Sequence, residues 1–130
     1  MGKRLNGYFF DTYALHEIEE GGENYLKFSN EVGIVTTTLN LMELYYSYFV
    51  KRGLAAAEMT FNHFRPFCID INDKTLKDAA VMRAQLKAKS KKSNVSYIDC
   101  LGYVIAQQLK IKFLTGDREF EGLDNVEFVR

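Results

Sequence analysis

The sequence predicts an α/β fold, a three-layer α/β/α sandwich around a mostly parallel central sheet. Two observations predict it. Short aromatic or β-branched runs alternate with longer segments of helical period along the chain, and that alternation is the pattern of parallel strands joined by crossover helices. The chain is also 130 residues long with 47% apolar and 26% charged residues, the size and composition of one globular domain, here residues 1–130.

The elements follow in order. Gly7-Tyr8-Phe9-Phe10 is a short aromatic strand, and Ile34-Val35-Thr36-Thr37 is a β-branched, buried one. Phe67-Cys68-Ile69-Asp70-Ile71 is a third candidate, since Pro66 stands at its start, where a missing N–H is tolerated. Lys112-Phe113-Leu114-Thr115 is a fourth, and Val126-Glu127-Phe128-Val129 a fifth, expected at an edge. Between them, Leu39 to Lys51 is apolar almost all round and predicts a buried helix. Gly53 breaks it, and Leu54 to Phe64 continues as another helix. Lys74 to Lys89 and Tyr97 to Leu109 carry apolar residues on a helical period. Residues 15–31 are expected to form two short helices separated by Gly21-Gly22.

Charge and cysteine content narrow the class. Seventeen basic residues offset seventeen acidic ones, so net charge points to no partner. Cys68 and Cys100 are the only cysteines, too few for a secreted disulfide framework. Residues 1–6 carry charge but no apolar stretch of signal length. The run from Leu39 to Val50 is interrupted by Glu43 and falls short of the roughly 20 residues a membrane helix needs. The expectation is a soluble cytoplasmic protein without a membrane segment.

Four carboxylates sit where this architecture would gather them. Asp11 follows the first strand and Asp117 lies two residues beyond the fourth, at the carboxyl edge where open parallel sheets bind ligands. Glu43 is the only acid in its apolar helix, a costly place for a carboxylate unless it is protonated, paired or bound to a cation. Asp99 lies three residues after Ser96, in the first turn of its helix. Hard oxygen donors of this kind suit Mg²⁺ or Mn²⁺. Each acid has a plain structural use as well. Asp11 can cap the next helix, Asp99 can form a capping box with Ser96, Asp117 can serve a turn, and Glu43 can be neutral or paired with an arginine. A shared position at one sheet edge is what those separate uses leave unexplained.

The chain resembles the PIN-domain family of metal-dependent ribonucleases, and within it the VapC-type toxins of toxin–antitoxin modules. The resemblance runs through Tyr8-Phe9-Phe10-Asp11-Thr12, Thr38-x4-Glu43-Leu44, Ser96-Tyr97-Ile98-Asp99-Cys100-Leu101 with Ile105-Ala106, and Phe113-Leu114-Thr115-Gly116-Asp117-Arg118-Glu119-Phe120. It implies a metal site of Asp11, Asp99 and Asp117, with Glu43 acting directly or through water. Thr115 matches a hydroxyl position near the site, and Glu119 is a secondary acid. The sequence departs from the family at Tyr13, where a small polar residue is usual.

The expected reaction is hydrolysis of an RNA phosphodiester assisted by Mg²⁺ or Mn²⁺. Candidate phosphate contacts are Arg118 and the basic run Arg83, Lys87, Lys89, Lys91 and Lys92 before the Ser96 helix. No Ser–His, Cys–His or P-loop pattern competes. The surplus of apolar residues between Leu39 and Val50, with the resemblance, implies an antitoxin partner and a homodimer. The alternative is a catalytically silent PIN-fold module that binds RNA or a protein partner.

Overall fold

The computed structural model describes residues 7–29 and 33–130; expectations resting on residues 1–6 and 30–32 lie outside that range. Its elements are β1 (Tyr8–Phe10), α1 (Thr12–Glu19), α2 (Glu23–Leu26), β2 (Ile34–Val35), α3 (Thr38–Arg52), α4 (Leu54–Phe64), α5 (Asp73–Lys89), α6 (Tyr97–Leu109), β3 (Lys112–Thr115) and β4 (Val126–Phe128). The four strands run in the order β2-β1-β3-β4, every pairing parallel. Among the described residues the sheet is therefore wholly parallel, with the C-terminal strand at an edge as expected.

Strand alternation makes the three layers. Phe9 and Phe113 are register partners and face one way, into a core with Ala79 of α5 and Leu101, Ile105 and Ala106 of α6. Phe10 and Leu114 face the other way, against Leu15, Leu41, Leu44 and Phe64 from α1, α3 and α4. Both strands are fully buried at these positions, as continuous apolar runs in parallel sheets require. Helix α6 lies so close to the sheet that a Cβ on Gly102 would stand 2.5 Å from the Phe9 ring and 2.9 Å from the Phe113 ring. Only glycine fits there.

Two expectations are corrected. Phe67–Ile71 is not a strand. A 3₁₀ turn at Arg65–Phe67 precedes it, and a single bridge between Thr36 and Cys68 is all that joins it to the sheet. Pro66 sits inside that turn rather than at a strand start, so the chain is still turning where the apolar run begins. Helix α3 is not buried all round either. Leu41, Leu44 and Tyr48 are buried, but Met42, Tyr46, Phe49 and Val50 are half exposed or more. The two short helices flanking Gly21-Gly22 are found, the first starting at Thr12, earlier than expected, because Asp11 caps it. No described helix is long and apolar enough to cross a membrane.

Candidate functional site

At the carboxyl edge of the sheet Asp11, Asp99 and Asp117 lie within electrostatic reach of one another, and Glu43 within reach of Asp99. Asp11 leaves β1 and is 2% exposed. One of its oxygens accepts the Ala14 N–H at 2.7 Å, which caps α1. The other accepts the Thr115 hydroxyl. Thr115 ends β3, is fully buried, and accepts the Asp117 N–H at 3.0 Å. One threonine hydroxyl thus ties the acid after β1 to the loop bearing the acid after β3. Asp117 itself accepts the Glu119 N–H at 2.9 Å, capping the 3₁₀ turn Arg118–Phe120. Ser96 caps α6 by accepting the Asp99 N–H at 3.0 Å, so the expected pairing of Ser96 with Asp99 is present alongside the acid cluster.

Burial dominates the electrostatics of the site. Burial pushes the Asp11 carboxyl up to about 7; the bonds from Thr115 and Ala14 pull against this, and the charges of Asp99 and Asp117 add to it. Burial likewise pushes Asp99 up to about 6, opposed by its hydrogen bonds to Ser96 and reinforced by Asp117 and Glu43. Acids that raise one another in this way gain from a cation between them. The donors are all hard carboxylate oxygens, which fits Mg²⁺ or Mn²⁺. As the side chains stand, no group of three His, Cys, Asp or Glu is gathered closely enough to hold an ion, among the described residues.

Glu43 is not paired with an arginine among the described residues. It accepts the Thr12 hydroxyl at 2.5 Å, and Thr12 in turn accepts from the Asn40 amide at 3.2 Å. Asn40 is 1% exposed and its carbonyl accepts the Thr37 hydroxyl at 2.7 Å. This Thr37–Asn40–Thr12–Glu43 chain was not foreseen as part of the site. The sequence carries no distinct signal for it, because short polar residues at a helix start read equally well as caps.

The other expected residues divide. Glu119 accepts the Ser93 hydroxyl at 2.8 Å, and Lys87 donates to the Ser93 carbonyl at 2.8 Å. Ser93 therefore ties the loop before α6 to the Asp117 turn, and Lys87 ties the same loop to α5. Arg118 pairs with Glu121 at 3.2 Å. Lys89 lines a groove between α5 and α6 with Val81, Leu86 and Leu123, while Lys91 and Lys92 are exposed in a turn. The departure at Tyr13 also has a structural consequence. The Tyr13 ring occupies the space that a Cβ on Gly116 would need, 2.3 Å away. Arg130 lies over that ring at 5.9 Å and donates to the Gly116 carbonyl at 2.6 Å.

Comparison with known proteins places the fold. No curated protein matches the sequence. Among solved structures, a toxin–antitoxin complex from Klebsiella pneumoniae superposes with a TM-score of 0.69 at 18% identity, covering 93% of this chain and 96% of that one. A protein from Pyrobaculum aerophilum gives 0.70 at 16% identity, covering 98% and 93%. At such identities the likeness is one of fold. The PIN domain family matches residues 8–126, nearly the whole chain, and the chain belongs to the PIN-domain family.

Proposed function

We propose that this protein is a metal-dependent endoribonuclease of one domain, the toxin of a toxin–antitoxin pair. The observation that carries the proposal is the PIN-family match over residues 8–126, supported by the buried Asp11 at the carboxyl end of β1, held by Ala14 and Thr115 and in electrostatic reach of Asp99 and Asp117. Asp11, Asp99 and Asp117 are the residues that would hold Mg²⁺ or Mn²⁺, with Glu43 orienting them or adding a further oxygen. When bound, the cation supplies Lewis-acid stabilisation of the charge that develops on the phosphate.

The chain's own residues do the positioning. Thr115 and the Ala14 N–H fix the Asp11 carboxylate, while each of its oxygens keeps a lone pair for a cation. Asp11 must first release the proton that its burial retains. Asp99 stands in the first turn of α6 beside its Ser96 cap, and the Thr12–Asn40 hydrogen bonds orient Glu43.

The antitoxin belongs to the same proposal. The Klebsiella neighbour is a toxin–antitoxin complex, and Met42, Tyr46, Phe49, Val50, Leu54 and Met59 expose apolar surface on α3 and α4. A surface of that kind marks an interaction site, here for the antitoxin or for a second copy in a cytoplasmic homodimer.

The test is cleavage. Purified protein is incubated with single-stranded and folded RNAs in Mn²⁺, in Mg²⁺ and in EDTA, beside Asp11→Asn and Asp99→Asn. Cleavage that requires the metal and is lost in both variants is expected. Cleavage that survives equally in the variants overturns the proposal. RNA binding with no cleavage under any condition would instead favour the silent module.

A further inference from the structure

The flank of the acid cluster carries an unexplained aromatic. Tyr97 opens α6 two residues before Asp99, yet its ring is 64% exposed. The Arg83 guanidinium lies 4.2 Å from the centroid of that ring. Arg83 makes no ion pair among the described residues. Its Nε is the one buried side-chain nitrogen or oxygen there without a hydrogen-bond partner. Tyr97 also lines an apolar recess of about 110 Å³, whose walls include Leu39 of α3, Leu76 and Ala80 of α5, and Ile98.

The position of the recess gives it a use. Leu39, one wall of the recess, precedes Glu43 by four residues on α3, roughly 6 Å of helical rise. That is the scale of the step between neighbouring nucleotides in an extended single strand. An aromatic ring backed by a guanidinium and opening on an apolar recess suits a planar heterocycle. The unpaired arginine charge suits the phosphate attached to it.

We propose that Tyr97 and Arg83 form a nucleobase subsite, in which one unpaired RNA base stacks on Tyr97 while Arg83 takes its phosphate. The proposal rests on the nuclease assignment and narrows its substrate to RNA with an unpaired base beside the cleaved bond, because a base inside a duplex offers no free face. Tyr97 and Arg83 select and place the strand, and neither acts on the reacting atoms.

The test uses short fluorescein-labelled single-stranded RNAs in which one abasic nucleotide is walked along the strand. Binding is measured in Ca²⁺ and cleavage in Mn²⁺. Wild-type protein should lose about ten-fold in affinity at one abasic position, the cost of one base–aromatic stack. Tyr97→Ala should bind the intact strand about ten-fold more weakly and be indifferent to that abasic position, while Tyr97→Phe keeps the preference. The chain has no tryptophan, so fluorescence in Tyr97→Trp reports the subsite alone and should be quenched by the intact strand but not by the abasic one.

Equal abasic profiles in wild type and Tyr97→Ala overturn the subsite. So does a Tyr97→Ala variant that changes oligomeric state while keeping its RNA affinity. If the wild type cleaves but its abasic profile is flat, the subsite fails alone. If Tyr97→Trp is quenched but nothing is cut, the nuclease assignment fails and the subsite stands. No binding of any strand overturns both.

Discussion

Asp11 is the residue on which stability and function pull in opposite directions. Its carboxyl titrates near 7 in the folded chain against 3.8 for an unburied aspartate. The folded state therefore holds a proton that the unfolded state has released across that interval. The associated stability is full below about pH 4 and is lost as pH rises towards 7. Asp11→Asn keeps a capable helix cap but removes the ionisation. We expect its metal-free urea midpoint to equal or exceed that of the wild type at pH 8, with the difference shrinking towards pH 5, and its RNA cleavage to be abolished. Thr115 acts through Asp11. Its hydroxyl lowers the Asp11 pKa by hydrogen bonding and also accepts the Asp117 N–H. Thr115→Val removes both bonds while conserving shape, at a cost of about 1–3 kcal/mol in urea unfolding. The pH at which the proposed RNA cleavage is half-maximal should move upward, because Asp11 then gives up its proton later. A merely structural threonine would lower stability and leave the pH profile where it was.

Packing between elements decides how well the acids are held. Gly102 lets α6 settle onto β1 and β3, so the helix that carries Asp99 lies directly over the strands that carry Asp11 and Thr115. Gly102→Ala must push the Phe9 and Phe113 rings aside, and should cost about 1–3 kcal/mol by urea titration, as overpacking of a filled core does. Gly116 and Tyr13 make a second such pair. A Cβ at Gly116 collides with the Tyr13 ring, so Gly116→Ala should destabilise the Asp117 loop and reduce cleavage. Because the clash belongs to that pair, Tyr13→Ala should recover much of the loss, a coupling that a double-mutant cycle reads directly. At this scale the sequence was informative wherever period and length agreed. Lys112–Thr115 and Tyr97–Leu109 were found where their patterns placed them. Phe67–Ile71 was misjudged because a short apolar run looks alike whether it pairs in a sheet or packs beside one, and Pro66 in a turn gives the same signal as Pro66 at a strand start. Helix α3 was read as buried because composition counts apolar residues and is blind to a face left uncovered.

Over the whole molecule, topology explains where the sequence puts three of the acids: Asp11 and Asp117 follow strands and Asp99 stands in the first turn of a helix, junctions that a parallel sheet sends to one edge, whereas Glu43 lies inside α3. The hydroxyl and amide chain from Thr37 through Asn40 and Thr12 to Glu43 was not legible, since short polar residues there read equally well as helix caps. Three of the four acids also sit where a helix or turn begins. Asp11 and Asp117 accept a backbone N–H there, and the N–H of Asp99 is capped by Ser96. Capping and ligand duty are thus compatible, and the caps pin the backbone that a cation would need fixed. The fold accordingly accepts a cluster of like charges that weakens it when empty. Mn²⁺ should raise the melting temperature of the wild type by several degrees at saturating concentration, since a ligand at a hundred times its Kd adds about 2.7 kcal/mol. The increase should be larger at pH 8 than at pH 5, where protons on Asp11 and Asp99 compete with the ion. Asp99→Asn should flatten both the shift and its pH dependence. A melting temperature that Mn²⁺ leaves unchanged at pH 8, in protein that is folded by circular dichroism, would mean that the acid cluster is stabilised in some other way than by a metal.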